Sequence, residues 1–159
     1  MKIRILCVGK IKEKFMREAI AEYSKRLSRY IKLEIDEAAD EKTPDSASEK
    51  EEIQIRNREG ERLLKQIRPE DYVVALAIDG KMYDSVAFSR KLDGFGMLGR
   101  GSVVFVIGGS LGLGEQVLQR ADETISFSKM TFPHQLMRVI LLEQIYRGYR
   151  ILRNEPYHK

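Results

Sequence analysis

Few side chains in this sequence can do acid–base or covalent chemistry by themselves. Two histidines, His134 and His158, and one cysteine, Cys7, lie far apart in 159 residues. That spacing builds no zinc site, so no metal is expected. No G-x-S-x-G elbow presents a nucleophile. Cys7 falls in the middle of an apolar run and reads as a buried structural thiol. His134 opens a helix, where capping or packing explains it better than catalysis. His158 sits in the final segment Glu155–Lys159, where a frayed tail is the competing explanation. Group transfer from an activated donor remains as a plausible chemistry.

Two loops offer a place for such a donor. The first, Gly108–Gly114, follows the apolar run Val103–Ile107. It lacks the third glycine of a dinucleotide fingerprint, because Val117 stands there. It also lacks the lysine of a phosphate-binding loop, because Glu115–Gln116 follows Gly114. A glutamate at that point repels phosphate. The glycines still permit positive φ and close backbone approach, which suits either a flat, weakly charged group such as adenosine or a tight strand-to-helix turn. The second loop, Phe127–Ser128–Lys129–Met130–Thr131–Phe132, mixes apolar side chains with backbone amides able to read an adenine edge. Met130 and Phe132 are equally explained as core. Pro133 then fixes the start of a long helix at His134.

The elements that carry these loops alternate. Lys2–Gly9 reads as a strand, and Glu13–Tyr30 as a helix with Ile20, Tyr23, Leu27 and Tyr30 on one face. Leu33–Glu37 reads as a second strand, and Ser48 with nearby acids starts a helix that runs to about Ile67, before Pro69. Tyr72–Ile78 is a continuous apolar run, expected to be a strand buried on both faces. Asp79–Gly80–Lys81 turns the chain, Ser85–Leu98 is helical, and Thr124–Phe127 is a short strand. Arg153–Lys159 is expected to be irregular. This order predicts a single α/β domain over residues 1–159, with a mostly parallel sheet and helices on both faces.

Composition sets the class. Hydrophobic residues make up 43% and charged residues 33%, no run is long and apolar enough for a membrane, and the N-terminus has no signal-peptide pattern. With one cysteine, these features predict a cytoplasmic protein. The net charge of +4 is unevenly spread. Residues 1–32 hold ten Lys/Arg against three acids, residues 34–61 four against eleven, and residues 129–159 six against two. Basic ends around an acidic middle suit either an anionic partner or solvated helix faces.

Three motifs together carry a resemblance: Phe105–Leu113 (FVIGGSLGL), Ile125–Arg147 (ISFSKMTFPHQLMRVILLEQIYR) and the terminal EPYHK. With VGKIKEKF near the start and Asp79–Gly80–Lys81 followed by Ser85, the chain resembles the ribosomal RNA large subunit methyltransferase H family over essentially its whole length. The last third is the specific part, and the acidic middle is not diagnostic. The resemblance implies a SPOUT-type α/β fold with a C-terminal trefoil knot, which the residue pattern alone does not indicate. It implies S-adenosyl-L-methionine as cofactor, a homodimer whose site forms where two C-terminal regions meet, and methylation of N3 of a pseudouridine in 23S rRNA. It also implies cofactor contacts at Leu76, Gly108, Phe127, Ser128, Lys129, Met130, Thr131 and Phe132. Tyr157 and His158 would face the RNA base, with His158 the first candidate for handling the N3 proton. Lys129, Arg138 or Lys159 would steady a developing anion. The rival readings are a methyltransferase acting on tRNA or a small molecule, and a non-catalytic ribosome-associated RNA-binding protein.

Overall fold

The computed structural model covers residues 1–159. Ten elements follow in the order β1 (Lys2–Val8), α1 (Lys14–Leu27), β2 (Lys32–Ala38), α2 (Glu49–Leu64), β3 (Tyr72–Met82), α3 (Ser85–Gly96), β4 (Val103–Ile107), α4 (Glu115–Arg120), β5 (Glu123–Ser126) and α5 (His134–Leu152). All five strands are parallel, in the order β2-β1-β4-β3-β5. β4 is inserted between β1 and β3, so the C-terminal loops of β1, β3, β4 and β5 meet on one edge of the sheet. Such an edge is where open α/β sheets bind ligands.

The strands alternate in which face they serve. Ile3, Ile5 and Cys7 of β1, with Val103, Phe105 and Ile107 of β4, join the core shared with α1, α3 and α5. Leu6 and Val8, with Val104 and Val106, join the opposite core shared with α2 and α4. Both faces are therefore covered, as a parallel sheet requires. Burial pushes the Cys7 thiol up to about 12, so it stays protonated and serves as packing. α2 begins with a capping box: the Ser48 hydroxyl accepts from the Glu51 backbone N–H, and the Glu51 carboxylate accepts from the Ser48 N–H. No helix is long and apolar enough to cross a membrane.

One element differs from the sequence reading. β3 does not stop at Ile78. It runs on to Met82 with a bulge at Ala77–Gly80, so that both Leu76 and Lys81 pair with Ile125 of β5. Gly80 lies against that strand so closely that a Cβ there would sit 2.6 Å from the Ile125 carbonyl carbon. The run Tyr72–Ile78 is not buried on both faces throughout: Val73–Ala75 are buried, whereas Leu76 and Ala77 are half-buried and Ile78 is exposed. The C-terminal segment is irregular, as expected, and it is tied down. Asn154 turns out of α5 at positive φ, and the Arg150 guanidinium donates to the Glu155 carboxylate at 2.6 Å and to the Pro156 carbonyl at 2.8 Å. The Tyr30 hydroxyl donates to Glu155 at 3.0 Å.

At the opposite, N-terminal edge of the sheet, Arg4 is buried and donates to Asp71 at 3.3 Å and to Asp36 at 3.2 Å. Asp71 is only 1% exposed and also accepts from the Arg68 backbone N–H at 2.8 Å. Removing Asp71 leaves the buried Arg4 hydrogen-bonded only to the half-exposed Asp36, and takes away the acceptor of the Arg68 N–H. Asp71→Ala is expected to lower stability by about 2 kcal/mol, measured as a fall in the urea midpoint at fixed protein concentration.

Candidate active site

The C-terminal edge of the sheet opens into a cleft of about 1070 Å³. Three chain segments form its walls: Leu76–Asp79 from the interruption in β3, Ile107–Leu113 after β4, and Ser126–Gln135 after β5 without Lys129. Arg56, Glu115, Leu118 and Met137 complete the lining. The volume suits a cofactor-sized molecule, and the lining is mainly apolar and backbone.

The glycine loop is shaped by contact with itself. A Cβ on Gly108 would lie 2.6 Å from the Gly112 carbonyl carbon, so no larger residue fits without moving the loop. Gly112 has φ +83°, and its N–H donates to the Gly109 carbonyl at 3.0 Å. Glu115 opens α4 beside this loop, which makes the helix N-terminus a poor phosphate site and favours a neutral group there.

The second loop is held by its own serines. The Ser126 hydroxyl donates to the Ser128 carbonyl at 3.0 Å, and the Ser128 hydroxyl accepts from the Met130 N–H at 2.9 Å. No backbone N–H or C=O of Lys129–Phe132 bonds to another backbone group. Met130, Thr131 and Phe132 line the cleft, and apart from the Met130 N–H their peptide groups have no protein hydrogen-bond partner. Phe127 packs edge-on against Phe88 of the core at 5.6 Å between ring centroids, which anchors the start of the loop. Met130 is 74% exposed at its tip. Neither Met130 nor Phe132 belongs to either buried core.

Of the residues singled out from the sequence, Leu76, Gly108, Phe127, Ser128, Met130, Thr131 and Phe132 all line the cleft, and Lys129 does not. Arg138 is not available as a free cation. It is buried, donates to Glu37 at 2.8 Å and to the Gly9 carbonyl at 3.2 Å, and so clamps α5 onto the ends of β1 and β2. Tyr157 and His158 are also not in this cleft. They lie at the far end of α5. The Tyr157 ring meets Tyr146 edge-on at 4.9 Å, and His158 Nδ1 is 3.2 Å from the Arg147 guanidinium. Arg147 lies thirteen positions along the helix from His134 at the cleft, roughly 20 Å at 1.5 Å per residue.

Ala77, Ile78, Gln135 and Met137 line the cleft from outside the two loops singled out from the sequence. His134, read from the sequence as a capping or packing residue, also lines the cleft. It makes no cap hydrogen bond, since Pro133 is the N-cap. It stands half-buried between the cleft and the β1–α1 loop, with Nε2 near Gly9 and Asp40. Burial lowers its pKa, the Arg138 cation lowers it further, and Asp40 and Glu13 oppose both.

A family described as "Predicted SPOUT methyltransferase" matches residues 1–158. A Clostridium perfringens protein named ribosomal RNA large subunit methyltransferase H 1 is 56% identical over 159 residues, all of both chains. A Bifidobacterium adolescentis protein named ribosomal RNA large subunit methyltransferase H is 59% identical over the same full span. Among solved structures, a probable methylase family protein from Haemophilus influenzae Rd KW20 superimposes with a TM-score of 0.54 at 12% identity, covering 99% of this chain and 70% of that one. That likeness concerns the fold alone.

The lowered His134 pKa has a defined consequence. The unfolded chain binds a proton more readily at this site, so the contribution of His134 to stability is present above about pH 6.5 and is lost as pH falls below it. An NMR titration is expected to place the His134 midpoint below the ordinary imidazole value, and Asp40→Asn is expected to lower it further.

Proposed function

This chain belongs to the SPOUT methyltransferase family, and we propose that it uses S-adenosyl-L-methionine to methylate N3 of a pseudouridine in 23S rRNA. The observation that carries this reading is the cleft lined both by the Gly108–Leu113 loop and by Met130–Phe132, whose peptide groups other than the Met130 N–H are unpaired. The residues present fit the cofactor. Leu76 and Gly108 offer apolar and backbone surface for the adenosine group, Ser128–Phe132 offer backbone donors and acceptors, and Glu115 disfavours a polyphosphate ligand instead. When bound, the cofactor would supply an electrophilic methyl group on a sulfonium, whose C–S electron pair returns to sulfur on transfer.

The protein's task is then to hold the base in line and to exclude other orientations. The base loses its N3 proton and gains the methyl group, so negative charge develops on N3 and its flanking carbonyl oxygens. Groups that donate hydrogen bonds there lower the barrier. In the isolated chain no residue of the tail can do this, because Tyr157 and His158 rest at the far end of α5. A symmetric pair of chains resolves the separation. With two α5 helices packed antiparallel, the tail of one protomer lies beside the cleft of its partner. The half-exposed outer face of α5, with Leu136, Val139 and Ile140, suits such packing. On this reading the chain is a homodimer with two composite sites, and its C-terminal third carries the trefoil knot of the family.

RNA phosphates would meet the basic N-terminal segment. Lys10 and Lys12 are exposed, form no ion pair, and lie in the β1–α1 loop that adjoins His134 at the cleft. The protein would act in the cytoplasm, where rRNA is available to it.

Composite sites can be tested by mixing. Chains lacking residues 157–159 and Gly108→Ala chains are each expected to be inactive alone. Co-expressed, they form mixed dimers in which one cleft meets one intact tail, and about a quarter of wild-type methylation returns for random C2 pairing. No recovery would mean that each tail serves its own chain.

A further inference from the structure

Arg147, which touches none of the cleft, determines what His158 can do. Its guanidinium is set by Glu143, which accepts from Nε at 2.8 Å and lies 2.8 Å from Nη2 as an ion pair. The third nitrogen, Nη1, then faces His158 Nδ1 at 3.2 Å. The guanidinium also lies over the Tyr157 ring, 4.7 Å from its centroid. One arginine, braced by one carboxylate one helical turn away, therefore fixes both tail side chains.

The chemistry of this contact is one-sided. A guanidinium has donors and no acceptor. The hydrogen bond requires Nδ1 to be the acceptor, and in the neutral imidazole the proton is then on Nε2. The nitrogen left free to meet a ligand is Nε2–H, which donates. Tyr157 points the same way: burial, with the Glu143 carboxylate nearby, raises its pKa, so its hydroxyl stays protonated.

We propose that Arg147 is a positioning residue that holds His158 as the Nε2–H tautomer, so that His158 donates a hydrogen bond to a carbonyl oxygen of the target base and does not take its N3 proton. The inference rests on the reading above, in which the tail enters the partner's site. The N3 proton leaves to solvent water, and the negative charge moves onto oxygens that Nε2–H and the Tyr157 hydroxyl contact. This replaces His158 as proton handler, the first expectation from the sequence, with His158 as an anion-stabilising donor.

Glutamine reproduces an Nε2–H donor and cannot act as a base, which gives a clean test. His158→Ala is expected to lose about a hundredfold or more in methylation, the usual effect of removing a donor to a developing oxyanion. His158→Gln is expected to stay within about tenfold of wild type and to keep the same shape of pH–rate profile. Independently of activity, long-range ¹H–¹⁵N NMR of the intact protein should show neutral His158 protonated at Nε2, with Arg147→Met releasing a mixture of tautomers. If Gln is as inactive as Ala, or a wild-type limb near the imidazole pKa disappears in Gln, or the ring is protonated at Nδ1, the donor role is wrong. If Ala retains wild-type activity, the tail is not in the site at all, and the underlying reading fails with it.

Discussion

The structure depends on β3 using β5 twice. Leu76 and Lys81 both pair with Ile125, and the residues between them, Ala77–Gly80, are forced out of the sheet at its C-terminal edge. Gly80 makes the double pairing possible, because its backbone lies where a side chain would meet the Ile125 backbone. The displaced residues become one wall of the cleft. The same pairing holds the end of β5 beside the end of β3, so the loop after β5 must face the glycine loop after β4. A parallel sheet with β4 between β1 and β3 supplies the rest, since it gathers the ends of these strands on one edge.

α5 sets the second constraint. Arg138 clamps its start to Glu37 and to Gly9, and Arg150 clamps the segment after its end to Glu155 and Pro156. A rigid helix held at both ends keeps the cleft and the tail of one chain apart. The basic and polar groups that remain at the tail are already organised by Glu143 and Arg147. Glu143, Arg147, Tyr157 and His158 hold one another within one chain, so on the proposed reading the tail would enter a partner's site with its side chains preset. Preset donors cost little reorganisation when charge develops.

Much of the fold was legible in the residues. The alternation of apolar runs with helical periodicity located all ten elements, and Ser48 marked the start of α2 because a capping box is local. The long reach of β3 was not legible, since Asp79–Gly80–Lys81 has the composition of a turn and only the pairing with Ile125 makes Lys81 part of a strand. The insertion of β4 between β1 and β3 is likewise a tertiary outcome. In the cleft, the loops at Gly108 and Phe127–Phe132 were readable because their residue types restrict what they can bind. Ala77, Ile78 and Gln135 were not, as nothing in their types marks them. Arg138 looked like a free cation near the site; its burial against Glu37 and Gly9 depends on how α5 packs. The family resemblance implies that the tail and the loops serve one site, and the length of α5 holds them apart within one chain.

The central claim is that one chain's cleft is completed by the tail of another. Isotope-filtered NOE spectroscopy on a dimer of one labelled and one unlabelled protomer, with S-adenosylhomocysteine bound, tests it most directly. The account predicts contacts between protomers from Tyr157 and His158 to Met130 and Phe132. A monomer in solution, or a dimer whose tail protons contact only their own Tyr146 and Arg147, would contradict it.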